Sequence, residues 1–137
     1  ANARIEAALA ARLTRLGQLA FGFCALLFGG AHFFYMNLTA PLVPQWLPPG
    51  QTFWAYMTGL GHIAAGLAIL TGVQARLAAI LLTAMFASFT PLVHLPMLLA
   101  DPASHMNWTE NAVNLALTGV AWVVADSLAR PVRPGRA

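Results

Sequence analysis

The sequence predicts an all-α, polytopic membrane protein: a four-transmembrane-helix bundle with both termini cytoplasmic. Three observations carry that expectation. Hydrophobic residues make up 59% of the 137-residue chain and charged residues only 8%, against about 45–50% and 25% in ordinary soluble domains. Four stretches stay apolar for about 20 residues, the length needed to cross a bilayer. With four spans, all seven arginines fall on one face; an odd number would scatter them across both. Disorder is excluded by the apolar content, and collagen by eleven glycines without a strict period.

The spans are taken in order as 13–36, 53–72, 77–100 and 109–128. A Pro-rich loop (37–52), a tight turn (73–76) and a short polar loop (101–108) join them, leaving one membrane domain over 1–137. Arg4, Arg12 and Arg15 precede the first span, Arg76 lies in the turn after the second, and Arg130, Arg133 and Arg136 follow the fourth. By the positive-inside rule that face is cytoplasmic. Residues 1–12 are Ala-rich, with Arg4, Ala8, Arg12 and Arg15 on one helical face and Ile5, Leu9, Leu13 and Leu16 on another. They either lie along the inner membrane surface or extend the first helix. Residues 131–137 read as a basic, Pro-rich tail. Trp46, Trp54 and Trp108 fall near the outer boundary, as an aromatic belt does. The first span is too long for the apolar core of a cleaved signal and reads as retained.

A pI near 10 raises the question of nucleic acid, but scattered arginines form no groove-sized patch. Cys24 is the single cysteine, so the chain alone carries no disulfide or thiol relay. Catalytic-serine, P-loop and dinucleotide motifs are absent, and no catalytic residue is assigned.

Small residues mark close helix approach in lipid. Gln18, Gly22, Ala25, Gly29 and His32 share one face of the first span, and Gly61, Ala65, Ala68 and Gly72 form a stripe in the second. Asn107, Asn111, Asn114 and Thr118 share a face of the fourth, with Glu110 one turn from Asn114. By depth, His62 lies about 13 Å below the outer start of its span at 1.5 Å per residue. His32 and His94 lie about a turn from the outer ends of theirs. Polar groups therefore gather in the outer half of the bundle, while the inner half offers little beyond Gln18 and Thr71. Intramembrane polar groups are costly and mark a site or a proton path, or else simply hydrogen-bond the helices together.

Pro91 and Pro96 flank His94, and each frees a carbonyl one turn earlier, on Ala87 and Leu92. This either bends the helix or widens a pocket beside His94. The expected ligand-binding set is His32, His62, His94, Glu110, Asn111 and Asn114, with no metal site expected. A quinone is the best physical fit, entering from the bilayer, its ring among Phe33, Phe34 and Phe89 and its carbonyls on His or Asn. Haem b held by His32 and His94 is a weaker reading, as is a zinc or copper site from His32, His94, His105 and Glu110.

The segments FGGAHFF (28–34), TGLGHIAAGLAILTGVQARLAAILL (58–82) and LVHLPMLLADP (92–102), with Pro48, Trp108 and Glu110, resemble the DoxX family. The resemblance implies a four-helix protein of the bacterial cytoplasmic membrane, in a family named for a subunit of a thiosulfate:quinone oxidoreductase. Other members are associated with oxidative-stress defence or act as partners of redox enzymes, and no catalytic set is carried over. The expected function is a quinone-interacting or accessory subunit of a membrane oxidoreductase. Its expected partners are the lipid bilayer and other membrane subunits or further copies of itself, with no nucleic acid. The alternatives are a non-catalytic assembly subunit, or a small transporter of a lipophilic compound, for which no inverted repeat is visible.

Overall fold

The computed structural model describes residues 2–129. Among these there is no strand, and four helices are long and apolar enough to cross a membrane: α1 (Asn2–Phe34), α2 (Gln51–Thr71), α3 (Ala75–Ala100) and α4 (His105–Ala129). Arg130 and the tail at 131–137, with Arg133 and Arg136, lie outside the described residues.

Residues 2–12 extend α1 without a break, which decides between the two expectations for them. A 33-residue helix is about 50 Å long, well beyond a hydrocarbon core of about 30 Å. Its first turns, carrying Arg4 and Arg12, accordingly stand clear of the bundle, with Ile5 and Leu9 exposed. α2 ends where Gly72 adopts a left-handed conformation (φ 81°), its N–H closing on the Ala68 carbonyl at 2.9 Å, as a helix C-cap requires. Two residues later the chain re-enters a helix, so α2 and α3 are antiparallel neighbours. α4 starts at His105, four residues before the expected edge.

The Pro-rich loop is not loose. A short helix (Met36–Thr39) and a 3-10 turn (Ala40–Leu42) follow α1. The Gln51 side chain then donates to the Val43 carbonyl at 2.6 Å. Trp54 and Trp108, each in the opening turns of its helix, reach back six residues to the carbonyls of Pro48 (2.9 Å) and Pro102 (3.0 Å). These indoles staple the loops at one end of the bundle, in addition to the boundary role expected for them.

α1 packs chiefly on α2 and α3 on α4; α2 and α3 join the two pairs, and α1 meets α4 only lightly. The α1–α2 seam is a glycine seam. A Cβ on Gly66 would sit 2.7 Å from the Gly22 carbonyl oxygen, and one on Gly29 would sit 2.8 Å from that of Gly59. The pairs run 22 with 66 and 29 with 59, an antiparallel register at heptad spacing in which backbone touches backbone. The face expected on α1 is therefore the buried one, Gln18, Gly22, Ala25 and Gly29 all being buried. On α2 the stripe at Gly61, Ala65, Ala68 and Gly72 is not the α1 contact. Gly59, His62, Gly66 and Ile69 lie deepest, while Gly61, Ala65 and Ala68 line an apolar groove towards α3. Two adjacent small faces on one helix are not separable by spacing alone.

Candidate functional site: a histidine-lined cavity at the loop-stapled end

α2 carries His62 at its midpoint, and only 2% of this residue is exposed. Its ring stacks on His32 of α1 at 5.2 Å between centroids, 28° from parallel. Phe28 (6.1 Å) and Phe86 (5.4 Å) meet it edge-on. Gly59 makes this stack: a Cβ there would be 3.0 Å from that of His32, so its absence lets His32 close on α2 one turn from His62.

Each histidine places Nδ1 against the carbonyl four residues back, Phe28 for His32 (2.7 Å) and Thr58 for His62 (2.8 Å). A carbonyl oxygen only accepts, so both Nδ1 atoms carry the proton. In the neutral rings Nε2 is then an open acceptor. The backbone fixes the tautomer twice, leaving Nε2 as the acceptor of each ring.

α3 supplies the third wall through its broken segment. Its middle, Thr90–His94, is a π-type turn closed by the Leu95 N–H on the Thr90 carbonyl. Pro91 has no N–H to offer, and the wider turn is the helix's answer. In an unbroken helix His94 would lie about 80° round from Phe86. The extra residue in the turn brings the two to within about 20° of one face, and both line the same cavity. The carbonyl recruited by α4 is that of Phe86, one residue before the Ala87 carbonyl that Pro91 leaves without its helical N–H. Asn114, buried, donates to it at 3.0 Å and to the Thr90 hydroxyl at 3.0 Å. Nearer the loop, Asn107 donates to the carbonyls of Met97 (3.0 Å) and Asp101 (3.3 Å).

These walls line an open cavity of about 270 Å³ that gathers His32, His62, His94, Glu110 and Asn114 with Phe28, Phe86 and Phe89. Five of the six expected site residues thus meet in one place, with every long helix contributing. Asn111 does not line it; its Oδ1 is buried without a hydrogen-bond partner among the described residues. Of the expected aromatics only Phe89 belongs. Phe33 packs on Tyr56 at 5.5 Å and Phe34 is 85% exposed, because both are turned away from the His32 face. Phe28, four residues before His32, shares that face and takes their place.

His105 is exposed at the start of α4. The set His32, His94, His105 and Glu110 is not brought together, and the described residues contain no group of three or more His, Cys, Asp or Glu arranged to hold a metal ion. The rings of His32 and His62 lie face to face at 5.2 Å, which leaves no room for a macrocycle between them.

The opposite end has a smaller polar network. Gln18, buried, donates to the Ser127 hydroxyl at 3.0 Å, tying α1 to α4. Arg15 donates to the Gln18 side-chain oxygen (3.3 Å) and to the Leu70 carbonyl (3.2 Å). Between the two polar ends Ala25, Ala65, Ile69, Leu82 and Ala121 fill the bundle with apolar side chains.

No curated protein and no solved structure matches the chain. A family model described as "Domain of unknown function (DUF8561)" matches residues 21–127, a stretch that contains both glycine pairs, the π-type turn and every residue of the cavity. The chain belongs to this DUF8561 family.

Proposed function

We propose that the protein is a multi-pass protein of the bacterial cytoplasmic membrane that binds the flat head of a quinone in the histidine-lined cavity and serves a membrane oxidoreductase as its quinone-interacting or accessory subunit. The observation that carries this reading is the pair of open Nε2 acceptors beside three aromatic rings and a carboxylate. The volume of about 270 Å³ lies just below the usual range for small-molecule sites, about 300–1,000 Å³, and suits a single ring better than a macrocycle. A reduced quinone donates one hydroxyl to Nε2 of His32 or His62. The oxidised form takes a hydrogen bond from the ring N–H of His94, since both amide hydrogens of Asn114 are held by Phe86 and Thr90. Glu110, at the loop-stapled end, is placed to pass protons to that end. The likeness of residues 28–34, 58–82 and 92–102 to the DoxX family supports a redox setting. The arginines of residues 4–15 and Arg76 support a cytoplasmic position for the opposite end.

The assembly-subunit alternative loses its best surface, since the α1 glycine stripe is consumed by α2. The test is quenching of tryptophan fluorescence by decylubiquinone in purified protein. His62→Ala and Glu110→Gln are expected to weaken binding about tenfold or more, equivalent to about 1.4 kcal/mol. Unchanged affinity in both variants overturns the reading.

A further inference from the structure

Three cavities at the loop-stapled end share walls. The histidine cavity has His32, Phe89 and His94 in common with a second of about 210 Å³ under the loop, to which Val43, Thr58 and Val93 also contribute. That one shares Val43, Thr58, Phe89 and Val93 with a third, of about 320 Å³, between α2 and α3. Phe89 stands in all three. The character changes along the way: histidines and a carboxylate at one end, and Leu47, Met57, Met85 and Leu92 at the other.

Two features keep this path open. The π-type turn shifts Val93 and His94 relative to the first half of α3. The Gln51 side chain holds the Val43 carbonyl and with it the roof of the second and third cavities. Neither device is needed to hold His32 against His62, which the glycine seam already accomplishes.

We infer that the three cavities form one amphipathic passage, and that the ligand is a tailed quinone whose apolar tail leaves between α2 and α3, beneath residues 43–47, and not through the α1–α4 side where its head lies. This rests on the quinone reading above. Lipid tails are as apolar as leucine, so the passage gains no affinity from water exclusion. It acts by shape, giving the tail a route that a blocked passage denies.

The test uses decylubiquinone carrying a photoreactive diazirine at the tail end, bound to protein in phosphatidylcholine nanodiscs, with labelled peptides mapped by mass spectrometry. Labelling within residues 43–57 and 85–93, removed by excess unlabelled decylubiquinone, is the expected result. Labelling of Val113 and Leu117, or a uniform pattern over the lipid-facing helices that competition does not alter, overturns the inference. In parallel, Met57→Trp and Leu47→Trp fill the far cavity from its wall. Each is expected to weaken decylubiquinone about tenfold while changing the affinity of the tail-less 2,3-dimethoxy-5-methylbenzoquinone less than about twofold. Equal small effects on both quinones overturn the tail route and leave the head site standing. Wild-type protein that binds neither overturns both.

Discussion

The two helix pairs are held together by opposite means. α1 and α2 meet backbone to backbone through Gly22, Gly29, Gly59 and Gly66, with the His32–His62 stack towards one end of the seam and Arg15 on the Leu70 carbonyl at the other. α3 and α4 are tied by side-chain amides to main-chain carbonyls, Asn114 to Phe86 and Asn107 to Met97. The first seam is tight and sequence-local in its logic: remove every side chain and the helices close. The second is spaced by the π-type turn and bridged by polar arms, and it leaves room. A cavity needs one rigid wall to fix its histidines and one opened wall to admit a ligand, and the bundle supplies one of each.

The comparison is broken most severely at the glycine seam. Gly66→Ala drives a methyl group to 2.7 Å from a carbonyl oxygen, and Gly29→Ala drives one to 2.5 Å from Ile63 Cγ1. Overpacking of this kind costs about 1–3 kcal/mol, with these sites expected at the upper end because backbone cannot swing away. Gly30→Ala and Gly119→Ala, which meet nothing within 4 Å, are expected to stay within about 0.5 kcal/mol. Thermal unfolding of the four variants in detergent separates the two groups.

Next in size is Pro91→Ala. Restoring the N–H lets Thr90–His94 relax to a regular helix, which rotates His94 by about 100°, to about 80° from Phe86. Quinone affinity is expected to fall about tenfold with no loss of thermal stability, a separation that simple misfolding does not produce.

Asn114→Ala probes the bridged seam directly. It removes both 3.0 Å bonds and is expected to cost about 1 kcal/mol in the same unfolding assay. Gln18→Ala removes the single tie to Ser127 and is expected to cost about 0.6 kcal/mol, the usual size of an interhelical bond in lipid. A Gln18 variant as damaging as Gly66→Ala would mean that α1 is held by its polar end and not by its glycines.

Periodicity and depth were enough to place the four helices, the buried face of α1 and five cavity residues. Those signals repeat every 3.6 residues and survive wherever the helix is regular. They fail where it is not. The extra residue in the π-type turn shifts the wheel for everything beyond Pro91, so Phe86 could not be aligned with His94 in advance. Ser127 was invisible for another reason: as a lone hydroxyl on α4 it acquires meaning only from Gln18, more than a hundred positions away. Phe28 was within reach, four residues from His32 on the same face. The two adjacent small stripes of α2 could be ranked only once α1 and α3 were in place.

The most direct test of the account is native mass spectrometry of the protein released gently from its own membranes, wild type beside His62→Ala. The account predicts a retained mass matching a tailed quinone on the wild type and its loss from a variant that remains folded. Bare protein in both preparations, or a quinone retained equally by both, would contradict it.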